Sequence, residues 1–293
     1  MGNDPPRHSD PLHYNPARYD APFLWALAIL GGLYVFLILA MLLADVSYTS
    51  AGHLWAALAS RDIQYSIKLS LISCSLTAIF SLWVAVPLGY LMSRYEFRGK
   101  RLVDVLIDIP IVLPPLVIGL SLLILFKTAP GQWIDTRLDA LHERWRWVPN
   151  GIPFEVPAVI LAQFSVAAAF AVRTMRVTFD QISPRTEQVA LTLGCSRSQA
   201  FWLVVLPEAR RGMITAGTLA WARALGEFGP ILVFAGATRG NTEVLSTTVF
   251  LELSIGDLEA AVAVSLLMVA AAVVVLVIVR LYGMDPIGPH AKK

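Results

Sequence analysis

The sequence contains few charged residues for its length. Of its 293 residues, 15% are Asp, Glu, Lys or Arg and 56% are hydrophobic, and the mean hydropathy is +0.64. This composition excludes an ordinary soluble domain of the same length. The formal net charge of +2 is too small to indicate nucleic-acid binding. The chain is therefore predicted to be a polytopic membrane protein.

The sequence also lacks the motifs of several kinds of chemistry. Cys74 and Cys195 are far apart and indicate neither a disulfide framework nor a metal site, and the five histidines show no metal-ligand spacing. No GxxxxGK[ST] loop is present to hold the phosphates of ATP. No GxSxG or HExxH motif offers a nucleophile or a zinc site to a membrane hydrolase. We expect no enzymatic activity, no cofactor and no metal on this chain.

Long apolar runs, in contrast, are frequent. A helix needs about 20 mostly apolar residues to cross the roughly 30 Å hydrocarbon core of a bilayer, and six stretches qualify. The first is longer than the core of a signal peptide and is interpreted as a retained span; the fourth is short and contains Gln163. The expected fold is an all-α membrane protein with six transmembrane helices. They are predicted at residues 22–44, within 63–92, and at about 105–126, 156–172, 213–237 and 258–282.

The positions of Lys and Arg predict the orientation of these spans. Residues 44–62 and 237–257 each contain one Arg against two and three acidic residues, and they are expected to face outward. Segments rich in Lys and Arg follow the second, fourth and sixth spans and are expected in the cytoplasm. The prediction is a multi-pass protein of the cytoplasmic (inner) membrane with both termini in the cytoplasm. The basic residues are Arg94, Arg98, Lys100 and Arg101, then Arg173, Arg176, Arg185, Arg197, Arg210 and Arg211, and finally Arg280, Lys292 and Lys293.

The third span is rich in proline. Its run IPIVLPPLVIG contains Pro110, Pro114 and Pro115. Proline removes a backbone donor and kinks a helix, which a membrane tolerates where neighbouring helices or a cavity satisfy the freed carbonyls. We expect a bent helix inside the bundle. The pattern leaves open whether this helix lines a transport pathway or only fits the shape of the bundle.

The fifth span contains a charged pair, Arg223 and Glu227, four residues apart and predicted on one helical face. At 1.5 Å per residue, about 10 to 14 residues from the cytoplasmic end corresponds to mid-membrane depth. Charges at this depth are expensive and usually face the protein interior. Two interpretations remain: a functional role in gating or in joining subunits, and a purely structural pair within the helix.

A polar insert, residues 183–207, separates the fourth and fifth spans. Ser183 suits a helix N-cap, and Gly194 suits a left-handed helix end eleven residues later. A second short helix is predicted to start after Ser196 and to end before Pro207, because the residue preceding proline disfavours the helical region. A helix, a glycine turn and a second helix on a rigid base suit the groove of a cytosolic partner. The alternative is a helix that lies on the lipid headgroups.

The insert resembles a motif of the permease subunits of ABC importers. That motif reads Glu-Ala-Ala, three residues, Gly, nine residues, Ile, one residue, Leu-Pro. The acidic residue is displaced by one position here, to Glu187, which is similar to the oxyanion branch of the family, the molybdate, tungstate and sulfate permeases. The runs RALGEFGPILVFAG and IPIVLPPLVIG also resemble that branch, and the resemblance covers about residues 63–282. The corresponding positions in this chain are Gln188, Val189, Ala190, Gly194, Val204, Leu206 and Pro207. The glycine and the Leu-Pro match at the required spacing, whereas the first two positions are not the Glu and Ala of the motif.

The resemblance implies a function and a set of partners. Residues 21–283 would form an ABC transporter type-1-like transmembrane domain between two cytoplasmic tails, residues 1–20, expected to be disordered, and residues 284–293. A cytoplasmic ABC ATPase dimer would bind ATP and Mg²⁺, an extracytoplasmic oxyanion-binding protein would deliver the anion, and a second permease copy would complete the pathway. Molybdate or tungstate is the expected substrate and sulfate the alternative.

The alternative from another class is a secondary transporter or channel that uses Arg223 and Glu227, although it gives the insert no purpose.

The resemblance and the span patterns together assign roles to individual residues. The residues expected to couple the permease to the ATPase are Glu187, Gln188, Ala190, Leu193, Gly194, Leu206 and Pro207. The residues expected in the pathway or its gate are Pro110, Pro114, Pro115, Arg223 and Glu227.

Overall fold

A computed structural model describes residues 21–145 and 149–283, and within these ranges the protein is helical, with no strands. The two predicted tails, residues 1–20 and 284–293, lie outside the described residues. The chain divides into two units, Met1–Tyr48 and Thr49–Lys293.

The first unit contributes one long apolar helix, α1, Ala21–Tyr48. Its 28 residues correspond to about 42 Å of helix, more than the hydrocarbon core requires. The first predicted span is therefore a helix of sufficient length.

The second unit contains the remaining helices. The helices are α2 Ala51–Ala59, α3 Arg61–Arg94, α4 Lys100–Val112, α5 Pro115–Lys127, α6 Ala129–Arg144, α7 Val156–Gln181, α8 Pro184–Thr192, α9 Arg197–Ala200, α10 Leu206–Glu208, α11 Arg210–Leu225, α12 Gly229–Phe234, α13 Leu245–Ile255 and α14 Leu258–Gly283. The long helices α3 and α7 pack side by side, and α11 packs against both. A π-helical turn, Phe201–Val205, separates α9 from α10.

Small side chains allow the central helices to pack closely. A Cβ atom at Gly89 of α3 would lie 2.9 Å from the Cβ of Met175 on α7. Small residues at helix interfaces bring backbones together in membrane proteins, where burial of apolar surface adds little. The core of this unit is built largely on alanines that are fully buried: Ala85, Ala167, Ala171, Ala216, Ala220 and Ala224.

The predicted count of six spans is not confirmed. In the described residues four helices are long and apolar enough to cross a membrane, and a fifth span results if α4 and α5 together count as one. The predicted fifth span, residues 213–237, is two helices, because α11 ends at Leu225 and α12 begins at Gly229. The four long helices are Pro22–Tyr48, Arg61–Arg94, Val156–Gln181 and Leu258–Val277.

The proline-rich third span is bent, as predicted, but the bend is a complete break. The axes of α4 and α5 differ by 113°. Leu113 and Pro114 both have extended backbones, with ψ of 141° and 133°, because each precedes a proline. Pro110 lies inside α4 and does not interrupt it.

Helix α4 also has a polar side that the six-span prediction overlooked. Arg173 on α7 holds both carboxylate oxygens of Asp108, with Nε to Oδ1 at 2.7 Å. One turn away, Arg176 forms an ion pair with Asp104. Two ion pairs therefore fix α4 against the end of α7.

The insert between α7 and α11 begins as predicted. Helix α8 starts at Pro184 and ends with Leu193 as its C-cap, and Gly194 follows with φ of 92°. The second helix starts at Arg197 under the N-cap Ser196.

The prediction that this second helix ends before Pro207 is wrong. The chain stays helical through Pro207, because the π turn widens the backbone just before it. The amide N–H of Leu206 bonds to the carbonyl of Phe201, five residues back. A wide turn of this kind accommodates a proline that an α-helical turn would exclude.

Candidate functional site

Helix α8 is closed at both ends by its own residues. The Ser183 hydroxyl accepts a hydrogen bond of 3.3 Å from the Arg185 N–H at its start. At its end the N–H of Cys195 bonds to the carbonyl of Ala190 at 3.1 Å, across the left-handed Gly194. No described atom lies within 4 Å of a Cβ placed on Gly194. Backbone conformation, and not space, is therefore what favours glycine there.

One face of α8 is apolar and open. Val189 is 56% exposed and Leu193 80% exposed, whereas Ala190 between them is 7% exposed and packs on the rest of the insert. These residues line a shallow groove of about 420 Å³ together with Arg185 and Val204. A capped helix with an exposed apolar face is a surface on which a partner can dock.

The seven predicted coupling residues have different surroundings. Gln188 and Pro207 are exposed, and Leu206 is half-buried. Glu187 is turned inward: its Oε1 accepts a hydrogen bond of 2.6 Å from the Tyr90 hydroxyl. Its Oε2 lies 3.6 Å from Nε of Arg94. The sequence predicts neither of these contacts, because its pattern indicates Arg94 only as a basic residue at the cytoplasmic end of the second span.

The two broken helices meet at their breaks. A Cβ at Gly119 on α5 would lie 2.7 Å from the Cα of Pro230 on α12. A Cβ at Gly229 would lie 3.0 Å from both the Cβ of Pro115 and the N of Leu116. The prolines of the third span and the start of α12 are therefore in contact, which the sequence alone did not indicate.

Arg223 and Glu227 form an ion pair, but Glu227 does not continue the helix that carries Arg223. Glu227 lies in the break between α11 and α12 with its side chain 1% exposed, and the Arg223 side chain is 28% exposed. The Arg223 guanidinium also lies 5.8 Å from the ring centroid of Phe170. The Ser246 hydroxyl donates to the carbonyl of Glu227 at 2.7 Å. The prediction of one continuous helical face is wrong, while the pair itself is present.

Gln163 stabilises the end of α11. Its Nε2 donates to the carbonyl of Ala224 at 3.3 Å, and its Oε1 accepts from the Thr77 hydroxyl at 3.2 Å. A helix end leaves carbonyls without intrahelical partners, and a buried one needs a donor from elsewhere. The glutamine that weakened the prediction of the fourth span therefore satisfies the backbone beside the break in the fifth.

A second ionic cluster links the segment before α13 to the start of α3. Nη2 of Arg239 donates to Oε1 of Glu252 at 2.8 Å, and its Nη1 lies 3.9 Å from Oδ2 of Asp62. The sequence indicated these residues only as loop charges. Their separation along the chain gave no signal that they meet.

Glu243 lies beside this cluster and is fully buried. Neither of its carboxyl oxygens has a hydrogen-bond partner among the described residues, and the neighbouring Thr248 hydroxyl donates instead to the carbonyl of Val244 at 3.0 Å. Burial raises the pKa of Glu243 above its usual value of 4.5, and the nearby Arg239 opposes that rise.

Residues 21–145 and 149–283 contain no group of three or more His, Cys, Asp or Glu side chains that could hold a metal ion. The long apolar helices and the paired helix breaks are those of a multi-pass membrane protein. The chain belongs to the family described as binding-protein-dependent transport system inner membrane component, whose model matches residues 85–285. This family contains the permease subunits of ABC importers.

Several curated relatives are similar over most of the chain. The sulfate transport system permease protein CysT of Escherichia coli (strain K12) is 32% identical, over 83% of this chain and 85% of its own. The molybdenum transport system permease protein ModB of Mycobacterium bovis is 32% identical, over 81% and 86%. The molybdate/tungstate transport system permease protein WtpB of Pyrococcus abyssi is 35% identical over 58% and 60%.

The fold is similar to that of a solved transporter chain. A crystal structure of a bacterial alginate ABC transporter, in complex with an alginate pentasaccharide-bound periplasmic protein, superposes with a TM-score of 0.66. The match covers 92% of this chain and 95% of that one at 19% sequence identity. At this identity the likeness establishes the fold alone.

Proposed function

We propose that this chain is the pathway-forming subunit of an ATP-driven importer of a divalent tetrahedral oxyanion. The observation that carries the proposal is the insert: a capped helix with an open apolar face on a chain that has no phosphate-binding loop of its own. Such a chain needs an external energy source and offers a surface through which to receive it.

Helix α8 is the proposed contact with a dimer of cytoplasmic ATPase subunits, which bind ATP and Mg²⁺ in this scheme. Val189 and Leu193 supply its apolar contact, and Gln188 a polar one at the exposed surface. This assignment places the insert and both termini in the cytoplasm, as the distribution of Lys and Arg favours. The limits of the transmembrane domain, residues 21–283, and the tails on either side of it stay predictions.

The crossing of the broken helices is the proposed pathway and gate. Irregular backbone at membrane depth is tolerated where it is buried in protein or lines a cavity. Pro114 and Pro115 create one break, and Glu227 lies in the other, paired with Arg223. A second copy of the chain would supply the opposite wall. Transport then requires two packings of these elements, and ATP shifts their balance through contacts that differ between them.

The relatives support the substrate class. The names of the three relatives described above cover sulfate, molybdate and tungstate, which are all divalent tetrahedral oxyanions. Molybdate or tungstate is the proposed substrate. Sulfate is the second candidate, because the sulfate relative matches over a larger share of the chain than the molybdate/tungstate relative does. An extracytoplasmic binding protein would do most of the sorting among anions of such similar shape.

The proposal is tested by reconstituting the chain in proteoliposomes with its ATPase and its binding protein. Molybdate, tungstate and sulfate are supplied in turn, and ATP hydrolysis and anion uptake are measured together. We expect molybdate or tungstate to stimulate both. Stimulation by sulfate alone would select the second candidate, and stimulation by none of the three would refute the oxyanion assignment.

A further inference from the structure

Besides its exposed apolar face, helix α8 has a second face that is turned toward the protein interior. The Glu187 side chain on this face is 13% exposed, against 80% for the whole Leu193 residue on the outer face. Its hydrogen bond from the Tyr90 hydroxyl is 2.6 Å long, within the range of bonds from a hydroxyl to a charged carboxylate. Arg94, itself 9% exposed, faces the other oxygen of the carboxylate. The acidic residue of the insert is therefore held by its own chain.

Arg94 joins three helices at one point. It lies in the last turn of α3, and its Nη2 donates to the carbonyl of Ile182 at 2.8 Å. Ile182 is the C-cap of α7, so the same guanidinium closes the end of α7 and faces Glu187 on α8. Because these side chains are largely removed from water, salt screens their interaction only weakly.

The Tyr90 ring is fixed by packing on two sides. Its centroid lies 5.6 Å from that of Phe179 on α7 and 4.7 Å from that of Phe201 in the insert, both in edge-on arrangements. One residue earlier, Gly89 allows α3 to approach Met175 of α7 closely. The hydroxyl that bonds Glu187 therefore has a position set by α3, α7 and the π turn of the insert, and not by α8.

We propose that Tyr90, Arg94 and Glu187 form a latch that makes α8 and the end of α3 move as one body. Glu187 is in this view a positioning residue that acts through α3, and the ATPase contacts the opposite face of α8. Without the latch, α8 would be joined to its surroundings by the chain at Ser183 and at Gly194 and by the packing of Ala190 on the rest of the insert, and backbone at such helix ends can absorb a movement as a hinge. With the latch, a displacement of α8 reaches the 34-residue helix α3 directly.

The first test needs neither partner nor substrate. Hydrogen–deuterium exchange is measured on the full-length permease in detergent, for the wild type, Glu187→Gln and Tyr90→Phe. Both substitutions keep the shape of the side chain, and Tyr90→Phe keeps the aromatic packing. Since a hydrogen bond to a charged group stabilises more than a neutral one, we expect amides of α8 to exchange on the order of tenfold faster, with α7 unchanged.

Two comparisons make this test specific. The double variant is expected to exchange no faster than the faster single variant, because both remove the same interaction. Glu96→Gln is the matched control: its carboxylate pairs only with Lys100 in the described residues and is 89% exposed, so α8 exchange should equal that of the wild type. Wild-type exchange of α8 in both Glu187→Gln and Tyr90→Phe would overturn the latch.

The second test rests on the proposed function and measures anion imported per ATP hydrolysed in the reconstituted transporter. We expect both variants to lower this ratio at least about threefold while the ATPase still co-purifies with the permease, because the coupling equilibrium changes but the docking face does not. Loss of co-purification in Glu187→Gln, with an unchanged ratio in Tyr90→Phe, would show that Glu187 contacts the ATPase and refute the latch. If the wild type hydrolyses no ATP with any of the three anions, the proposed function fails and the exchange measurement alone decides the latch.

Discussion

At the scale of single residues, buried charge is where this chain departs most from a simple apolar bundle. Glu227 and Glu187 are both shielded from water, and each faces an arginine. Neither carboxyl oxygen of Glu243 has a hydrogen-bond donor among the described residues; at Glu227, Oε2 also lacks one but lies in the ion pair with Arg223. A buried group without a donor destabilises the folded state, and a carboxyl does so most when it is ionised.

Glu243 should therefore make stability depend on pH. Burial raises the pKa of Glu243 in the folded protein above 4.5. Below about pH 4.5 the carboxyl is protonated in both folded and unfolded chains, so the stability that the protonated form contributes is fully present there. That stability is lost as the pH rises through the pKa of the folded protein. At pH 8 we expect Glu243→Gln to stabilise the purified protein by about 1–3 kcal/mol, with a smaller gain at pH 5.

Thermal unfolding of the detergent-solubilised protein at the two pH values measures this effect. Arg239, Asp62 and Glu252 are charged groups beside Glu243, so the comparison is made between variants at each pH and not between pH values alone. Glu96→Gln, at an exposed position, should change neither midpoint. Equal stabilisation by Glu243→Gln at pH 5 and pH 8 would contradict the explanation.

At the scale of helices, the local signals of the sequence predicted starts and turns better than ends. Ser183 and Ser196 are N-caps and Gly194 is left-handed, as expected, because capping depends on residues three or four positions apart. Pro207 did not end its helix, since a π turn relieved the clash that the prediction assumed. Beside the break after Leu225, the carbonyl of Ala224 accepts a hydrogen bond from Gln163, which is far away in sequence. Local propensity carries no information about such a partner.

The crossing of α5 and α12 gives a prediction for a pair of helices. A methyl group on Gly119 would lie 2.7 Å from the Cα of Pro230, a backbone atom that cannot rotate away. We expect Gly119→Ala to lower stability by about 1–3 kcal/mol through overpacking and to reduce transport as the crossing is forced apart. Gly226→Ala, in the break between α11 and α12, is the matched control, because its new methyl group would meet nothing closer than 3.9 Å.

Thermal unfolding and anion uptake of the two variants provide the measurement. Gly226→Ala should change stability by no more than about 0.5 kcal/mol. A Gly119→Ala protein that unfolds at the wild-type temperature would show that the two helices can separate without loss. The close approach would then have no role in holding the crossing together.

At the scale of the whole molecule, composition predicted the class of fold, and the number of spans is the part that is not confirmed. Hydropathy recognises long apolar helices such as α3, α7 and α14, because apolar residues predominate along each of them. It cannot distinguish one span from two short helices joined at 113°, since the apolar residues are the same in both. A continuous span and a broken one therefore give the same hydropathy signal, and the break in the third span depends on local backbone geometry at its prolines.

The source of energy is the property of the whole molecule that separates the proposed importer from a secondary transporter. The chain has no phosphate-binding loop, and its buried pair Arg223 and Glu227 would be the natural ion-coupling site if it used a gradient.

In proteoliposomes that contain the ATPase and the binding protein, we expect oxyanion uptake to require enclosed or added ATP. Uptake should fall at least about tenfold when the ATPase partner carries a substitution of its phosphate-binding lysine. Proton and sodium gradients without ATP should drive no uptake above that of empty vesicles, because differential ATPase contacts on α8 are then absent. Gradient-driven uptake in the absence of ATP would instead identify the buried pair as the coupling site and remove the need for a docked ATPase.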